Sequence, residues 1–240
     1  MVRAVYDGIY RIIRSRIEAG DYAYQGFLPS ENEFIAEFGC SHNTIRKALG
    51  LLAGEGYVHP IQGKGVRVIY RPLERAGFVL GGIESFKETA ARNRLNVATR
   101  VSAFHDAVAD ARISKATGFA RGEELVYVER IRLLDGAALI LDRSYFLKSA
   151  VDGLTPEIAE KSIYEFFENE LGIAIATSKR AITAERATEL DARLLDLDGY
   201  DFLAVVTGQV FRSDGIMIEC TQSRHRPDHF TFYSTATRGV

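Results

Sequence analysis

Hydrophobic positions fall at helical spacing three times before Leu52 and mostly at strand spacing beyond Tyr57. Residues 5 to 17 place Val5, Ile9, Ile12, Ile13 and Ile17 on one stripe, which predicts a first helix with a buried side. Arg11, Arg14 and Arg16 lie on its other faces, where solvation is the expected fate of each and contact of one with DNA phosphate is the alternative. Gly20 to Gly26, rich in Tyr and Gly, reads as a loop. Ser30 with Glu33 three residues later is a capping box, so a short helix starts at Glu31, buries Phe34, Ile35 and Phe38, and stops at Gly39. Ser41 is placed to cap a third helix, residues 43 to 52, with Ile45, Ala48, Leu49 and Leu52 on its core face. The early outward face, His42, Asn43, Arg46 and Lys47, is short, polar and positive. Alternation from Tyr57 to Ile61 and from Val66 to Ile69, around Gly63-Lys64-Gly65, predicts a hairpin with a basic residue between two glycines at its tip. Two brief helices and a hairpin in this order make a winged helix-turn-helix, an element that reads DNA. The plain alternative is a small helical domain with a solvated polar face; the order of cap, periodicity and wing favours DNA binding.

The pattern changes after the wing. Residues 70 to 77 lack periodicity and contain Pro72, which predicts a linker between a domain of residues 1–69 and a second of residues 78–240. Within the second, a helix is expected from Ser85 to about Asn93, and a strand from Arg100 to Asp106. A helix near 109–118 and strands at 125–133 and 137–146 about the turn Asp135-Gly136 follow. A helix over 155–171, a strand over 173–184, a helix near 187–195, and strands at 202–212 and 216–226 about Asp214-Gly215 complete the pattern, with a last strand at 230–233. Helix, strand, Asp-Gly turn and strand thus occur twice, and Asp110-Ala111-Arg112-Ile113 matches Asp191-Ala192-Arg193-Leu194. The repeat implies an α+β domain of two pseudo-twofold halves around one antiparallel sheet, with a cleft between the halves suited to a small ligand.

Composition bounds the function without deciding it. At 26% charged and 47% hydrophobic, 240 residues suit two ordinary globular domains. A net charge of −2 argues weakly against nucleic acid as a partner. Yet between Cys40 and Tyr70 the positive residues Arg46, Lys47, Lys64 and Arg67 face Glu55 alone, so the basic patch is local. Cys40 and Cys220 lie far apart and show no metal spacing, and neither a signal peptide nor an apolar run of membrane-spanning length occurs. A cytoplasmic protein that needs no metal or cofactor and no membrane is expected.

Period-two arithmetic then picks out chemistry in the second domain. Arg130 and Arg132 share one strand face, where two guanidiniums can hold a phosphate from two sides; two ordinary solvent-facing charges fit the alternation equally well. Ser85 and Lys87 enter a helix after Gly81-Gly82 and add anion donors. Glu219, Thr221, Ser223 and His225 share a face, so Glu219 is placed to accept bonds from sugar hydroxyls. Ser162 and Tyr164 lie early in a helix, where capping and packing are the plain reading. An enzyme with Glu219 or His225 as acid or base is the rival class. No nucleophile–base motif supports it, so no catalytic residue is expected.

Tyr6 to Val68 resembles the winged-helix domain of the GntR regulator family, through Leu28-Pro29-Ser30-Glu31, Ser41-His42-Asn43-Thr44-Ile45-Arg46-Lys47-Ala48-Leu49 and Gly63-Lys64-Gly65. The resemblance implies contact with double-stranded operator DNA by Ser30, Asn32, Ser41, His42, Asn43, Thr44, Arg46, Lys47, Gln62, Gly63 and Lys64, in a homodimer. Asn32 and His42 stand where the family usually has Arg, which exchanges a guanine-reading fork at Asn32 for a side chain that favours adenine. Residues 78 to 236 are similar to the effector domain of the HutC branch, whose fold resembles chorismate lyase and binds small molecules without turning them over. That likeness implies a phosphosugar held by Ser85, Phe86, Arg130, Arg132, Ser162 and Tyr164, with Glu219 and His225 toward the sugar. Lys87 as an added phosphate donor is inferred from its neighbours. Within the branch, Gly81 to Glu88, Gly199-Tyr200-Asp201 and Ser223 to Asp228 are most similar to trehalose operon repressors, which implies trehalose 6-phosphate as effector; another phosphosugar, such as an amino-sugar 6-phosphate, or another metabolite is the alternative.

Overall fold

A computed structural model describes residues 5–71, 86, 87, 90 and 95–232, which fall into two compact units. In the first, α1 (Val5–Ala19), α2 (Glu31–Phe38) and α3 (His42–Gly54) precede the antiparallel pair β1 (Val58–Ile61) and β2 (Gly65–Val68). Both ends of α2 are where local chemistry puts them. Ser30 and Glu33 form the reciprocal capping box, and Gly39 closes the helix at φ 60°, a left-handed conformation that glycine adopts without strain. Ser41 caps α3 by accepting the Thr44 N–H. Phe34, Ile45, Ala48 and Leu52 are fully buried with Ile13, while Ile35 and Phe38 pack at the margin.

The stripe on α1 differs from the expected one. Val5 and Ile12 are exposed, at 68% and 44%, and Tyr10 is buried instead with Ile9, Ile13 and Ile17. Tyr10 has a polar end to satisfy, and its hydroxyl donates to the Glu55 carboxylate at 2.7 and 2.8 Å. Nor is Arg14 a solvated surface charge. Its Nε donates to Glu18 at 3.0 Å and to the Tyr57 hydroxyl at 2.9 Å, so it joins α1 to the segment after α3.

The second unit is built on one six-stranded antiparallel sheet, ordered β3-β4-β5-β8-β7-β6. Its strands are β3 (Val97–Val108), β4 (Glu124–Leu134), β5 (Ala137–Leu147), β6 (Ile175–Arg186), β7 (Phe202–Arg212) and β8 (Met217–His225). Each half follows strand, helix, strand, strand, with α4 (Ala111–Thr117) in the first and α7 (Glu189–Leu194) in the second. The halves are joined through the sheet itself: β5 pairs directly with β8, which satisfies both backbone edges and makes the sheet continuous. The repeat is topological and not residue by residue. Asp110 is the N-cap of α4, whereas Thr188 caps α7 and Asp191 sits three residues inside the cap.

Three local expectations are corrected. The single helix over 155–171 is two, α5 (Pro156–Lys161) and α6 (Ile163–Asn169), broken where Ser162 takes φ −151° and caps the second. Asp135-Gly136 is a two-residue turn with φ 49° and 87°, which suits strand twist. Asp214-Gly215, by contrast, lies in a longer loop in which the Asp214 carboxylate accepts from the Ile216 N–H. Residues 230–232 form no strand, following a single 3₁₀ turn, Pro227–His229; Tyr233 lies outside the described residues, as do Ser85 and most of the helix expected there.

Helices α5 and α6 cover the sheet face that carries Val128, Phe146 and Val210, and α7 covers the face that carries Ile131, Leu141 and Leu203. β4 is therefore buried on both sides along most of its length. Among the described residues no helix is long and apolar enough to cross a membrane, and no group of His, Cys, Asp and Glu is arranged to hold a metal.

Candidate functional site

Two surfaces collect the residues singled out by sequence, one in each unit. On the first, Ser41, His42, Asn43, Arg46 and Lys47 are exposed along the start of α3, with Thr44 half-buried between them. Ser30 and Asn32 are exposed at the start of α2, and Gln62, Gly63 and Lys64 form the exposed turn of the wing. Gly63 sits at φ 72° and Gly65 at φ 111°, so the tip is tight and lacks side chains on either side of Lys64. A carboxylate that the sequence pattern left out enters here. Glu31 on α2 accepts from Arg46 Nε at 3.0 and 3.2 Å and lies 3.4 Å from His42 Nδ1.

On the second surface the strand register does the gathering. Arg130 lies opposite Asp142, Asp142 opposite Ser223, and Ser144 opposite Thr221, while Arg132 and His225 both face Ile140. These rows share the sheet face toward α6, whose Tyr164 donates to Glu219 Oε2 at 2.9 Å. Ser144 is 2.8 Å from the Thr221 hydroxyl and 3.4 Å from Glu219. Arg132 Nε donates to Asp142 at 2.7 Å, its Nη1 to Thr99 at 2.8 Å, and its guanidinium lies over the Phe86 ring at 4.7 Å. Ser223 donates to the other Asp142 oxygen at 2.6 Å. Asp142 is thus occupied by Arg132 and Ser223, and Arg130 reaches it only at 3.9 Å. Arg130 Nε is buried with no hydrogen-bond partner among the described residues.

The electrostatics follow from this arrangement. Burial disfavours an ionised Asp142, but the charges of Arg132 and Arg130 overcome it and hold its carboxyl down at about 2. Burial and the repulsion of Arg132 lower Arg130 to about 10, against the pull of Asp142 and Glu219. Burial raises Glu219 against the pull of Arg130, and burial with Glu219 keeps Tyr164 firmly protonated. Burial also lowers His225 to about 4, so its ring is neutral near pH 7. The site holds two buried guanidiniums, one firmly ionised carboxylate and a ring of hydroxyls. Such an arrangement can accept an anion that also carries polar groups.

The remaining expected residues are placed less centrally. Ser162 is buried but its oxygen accepts the Glu165 N–H as the cap of α6. Lys87 is exposed and its ammonium is held by Glu165 at 2.9 and 3.0 Å. Sequence reasoning missed Asp142, Ser144 and Thr99, and it missed Phe230, whose ring lies 5.0 Å from that of His225. Their placement depends on strand register and tertiary packing, which local alternation does not signal.

Comparison with known proteins assigns a family to each unit. Residues 5–68 match the gntR family of bacterial regulatory proteins, and residues 92–231 match the UTRA domain. The HTH-type transcriptional regulator TreR of Bacillus subtilis is 41% identical over 231 residues, 96% of each chain. The solved effector-binding domain of the B. subtilis trehalose repressor is 40% identical with a TM-score of 0.55, covering 60% of this chain and 99% of that one. The crystal structure of the possible regulator YydK, also from B. subtilis, has a TM-score of 0.79 at 24% identity, covering 98% and 100%; it supports the fold alone. The chain belongs to the GntR family of DNA-binding transcriptional regulators, with a winged helix-turn-helix followed by a UTRA effector-binding domain.

Proposed function

We propose that the chain is a homodimeric repressor of trehalose uptake and utilisation genes that leaves its operator when trehalose 6-phosphate binds. In this reading residues 1–69 bind DNA, 70–77 link the domains, and 78–240 bind effector and dimerise. α3 enters a major groove with Ser41, His42, Asn43, Thr44, Arg46 and Lys47, aided by Ser30 and Asn32. Gln62, Gly63 and Lys64 of the wing touch backbone or minor groove. One recognition helix reads few bases, so twofold pairing on a pseudo-palindrome supplies the rest of the specificity.

The observation that carries the effector reading is Arg130, a buried guanidinium whose Nε has no hydrogen-bond partner among the described residues, beside an Arg132 that already has Asp142. A buried cation in that position is costly until an anion arrives, and a phosphate monoester offers enough oxygens for both arginines. In this reading Phe86 and the Ser162–Tyr164 pair border the phosphate, Ser85 and Lys87 are assigned to it from the sequence, and Glu219 and His225 meet the sugar. The trehalose repressor structure at 40% identity supports the choice of sugar. Coupling of about 3 kcal/mol between the two ligands would change operator affinity roughly 150-fold, enough to switch a promoter.

Isothermal titration with trehalose 6-phosphate, trehalose and glucosamine 6-phosphate tests this. Micromolar binding of the first alone, reduced at least 100-fold in Arg130→Ala, is the expected result, since truncation removes about 3 kcal/mol of charge-assisted contact. Binding of the amino-sugar phosphate alone would retain the regulator and overturn the trehalose assignment. Silence from all three would overturn the phosphate reading of the arginine pair.

A further inference from the structure

We propose that Glu31 is a specificity-determining positioning residue of the DNA-binding unit, acting through Arg46; the inference rests on the reading of α3 as the element that reads bases. The geometry is asymmetric. Both Glu31 oxygens take the Arg46 Nε–H, at 3.0 and 3.2 Å, and neither Nη of Arg46 has a hydrogen bond among the described residues. A guanidinium held from the side in this way keeps its terminal fork for a bidentate acceptor such as the O6 and N7 edge of guanine. His42 Nδ1 stands 3.4 Å from the same carboxylate, so two side chains on the early face of α3 converge on one residue of α2.

Helix termination does not account for Glu31. The start of α2 is satisfied by Ser30 and Glu33, whose side chains bond to each other's backbone amides. An ion pair this exposed, with Arg46 at 68% and Glu31 at 33%, also adds little to stability. What a carboxylate at this position changes is binding. It lowers the positive potential of the surface, which weakens sequence-independent attraction to phosphates, while it fixes the rotamer of the base-reading arginine. Both effects raise the ratio of specific to non-specific affinity.

Two substitutions separate these effects. Glu31→Gln removes the charge and keeps the shape; Glu31→Asp keeps the charge and shortens the reach to Arg46. The probes are the duplex that the wild-type protein selects from a randomised library and a mixed-sequence duplex of equal length, each titrated across a range of salt. Glu31→Gln is expected to bind the mixed duplex more tightly with a steeper salt dependence, and its specificity ratio is expected to fall about tenfold. Glu31→Asp is expected to keep the low non-specific affinity and still lose specificity. Arg46→Ala serves as the control on the underlying reading. If it leaves the specificity ratio unchanged, α3 does not read bases through Arg46 and that reading falls. If Arg46→Ala lowers the ratio and Glu31→Gln does not, the role of Glu31 is overturned.

Discussion

Arg46 and Arg130 are the same side chain in opposite circumstances. Arg46 is 68% exposed on α3 and held by one carboxylate; Arg130 is 8% exposed in the sheet and reaches its carboxylate only at 3.9 Å. Water already solvates Arg46, so its ion pair costs and contributes little, and its influence on a partner fades with salt. Arg130 has given up its hydration, which is why burial lowers its pKa to about 10, and it stays charged in the fold because Asp142 and Glu219 lie near it. The difference is in what each charge is coupled to. On the DNA-binding surface a charge can be altered with the fold indifferent. In the UTRA sheet the same alteration reaches the stability of the fold.

The sharpest way to break that contrast is Asp142→Asn. The substitution keeps the shape but leaves Arg132 and Arg130 without their shared counter-charge, and a stranded buried charge costs about 3 to 5 kcal/mol. Urea unfolding, with hydrogen exchange at β4 and β5 to identify the unit, should show that loss, while Glu31→Gln in the other unit should shift little. A stability within about 0.5 kcal/mol of the parent, the range of an ordinary surface substitution, would mean that the sheet does not depend on Asp142 to hold its arginines.

A somewhat smaller effect is expected from His225, through pH. Its folded pKa, lowered by burial to about 4, lies below the ordinary 6.5, so the unfolded chain binds the proton first. Its contribution is therefore fully present above pH 6.5 and is lost as pH falls toward 4, by about 3 kcal/mol. Asp142 also has a lowered pKa, but its loss falls below the ordinary 3.8 and does not overlap. Glu219, raised by burial, works in the opposite direction above its ordinary 4.5, which is why the difference between the parent and His225→Phe is the quantity to measure. That difference should shrink as pH falls from 6.5 to 4. A difference that stays constant would show that burial and Arg132 do not hold the imidazole neutral against the pull of Asp142.

The two regions were also unequally legible in the sequence. The DNA-binding unit is built from local devices. Ser30 with Glu33, Gly39 and Ser41 each act within a few residues, and the structure uses every one as its spacing suggests. The candidate ligand face depends on register, which local pattern does not fix. A regular two-residue hairpin at Asp135-Gly136 pairs Leu134 with Ala137 and, continued, sets Arg130 opposite Leu141. A bulge between Arg132 and Leu133 moves the pairing by one residue, so Asp142 faces Arg130 instead. That one-residue slip brings the central carboxylate onto the arginine face, and nothing in the alternation announces it. Alternation did place Glu219, Thr221, Ser223 and His225 together, because β8 follows its period through that stretch. Glu31 escaped for the converse reason: its partners lie eleven and fifteen residues away on another helix.

The smallest expected effect sharpens the contrast from the exposed side. Ser41 accepts the Thr44 N–H at 3.3 Å and lies 2.9 Å from its hydroxyl, so Ser41→Ala leaves an amide at the start of α3 without its cap. Loss of an N-cap of this kind costs about 1 kcal/mol, and hydrogen exchange of the first amides of α3 should speed up accordingly. No charge is removed, so the salt dependence of binding to mixed-sequence DNA should keep its slope even though the helix start is looser. Unchanged exchange would mean that the first turn of α3 does not rely on its cap. A shallower slope would mean that loosening this turn withdraws phosphate contacts. In that case fold and binding would be coupled on the DNA-binding surface too, and Arg46 and Arg130 would differ only in degree.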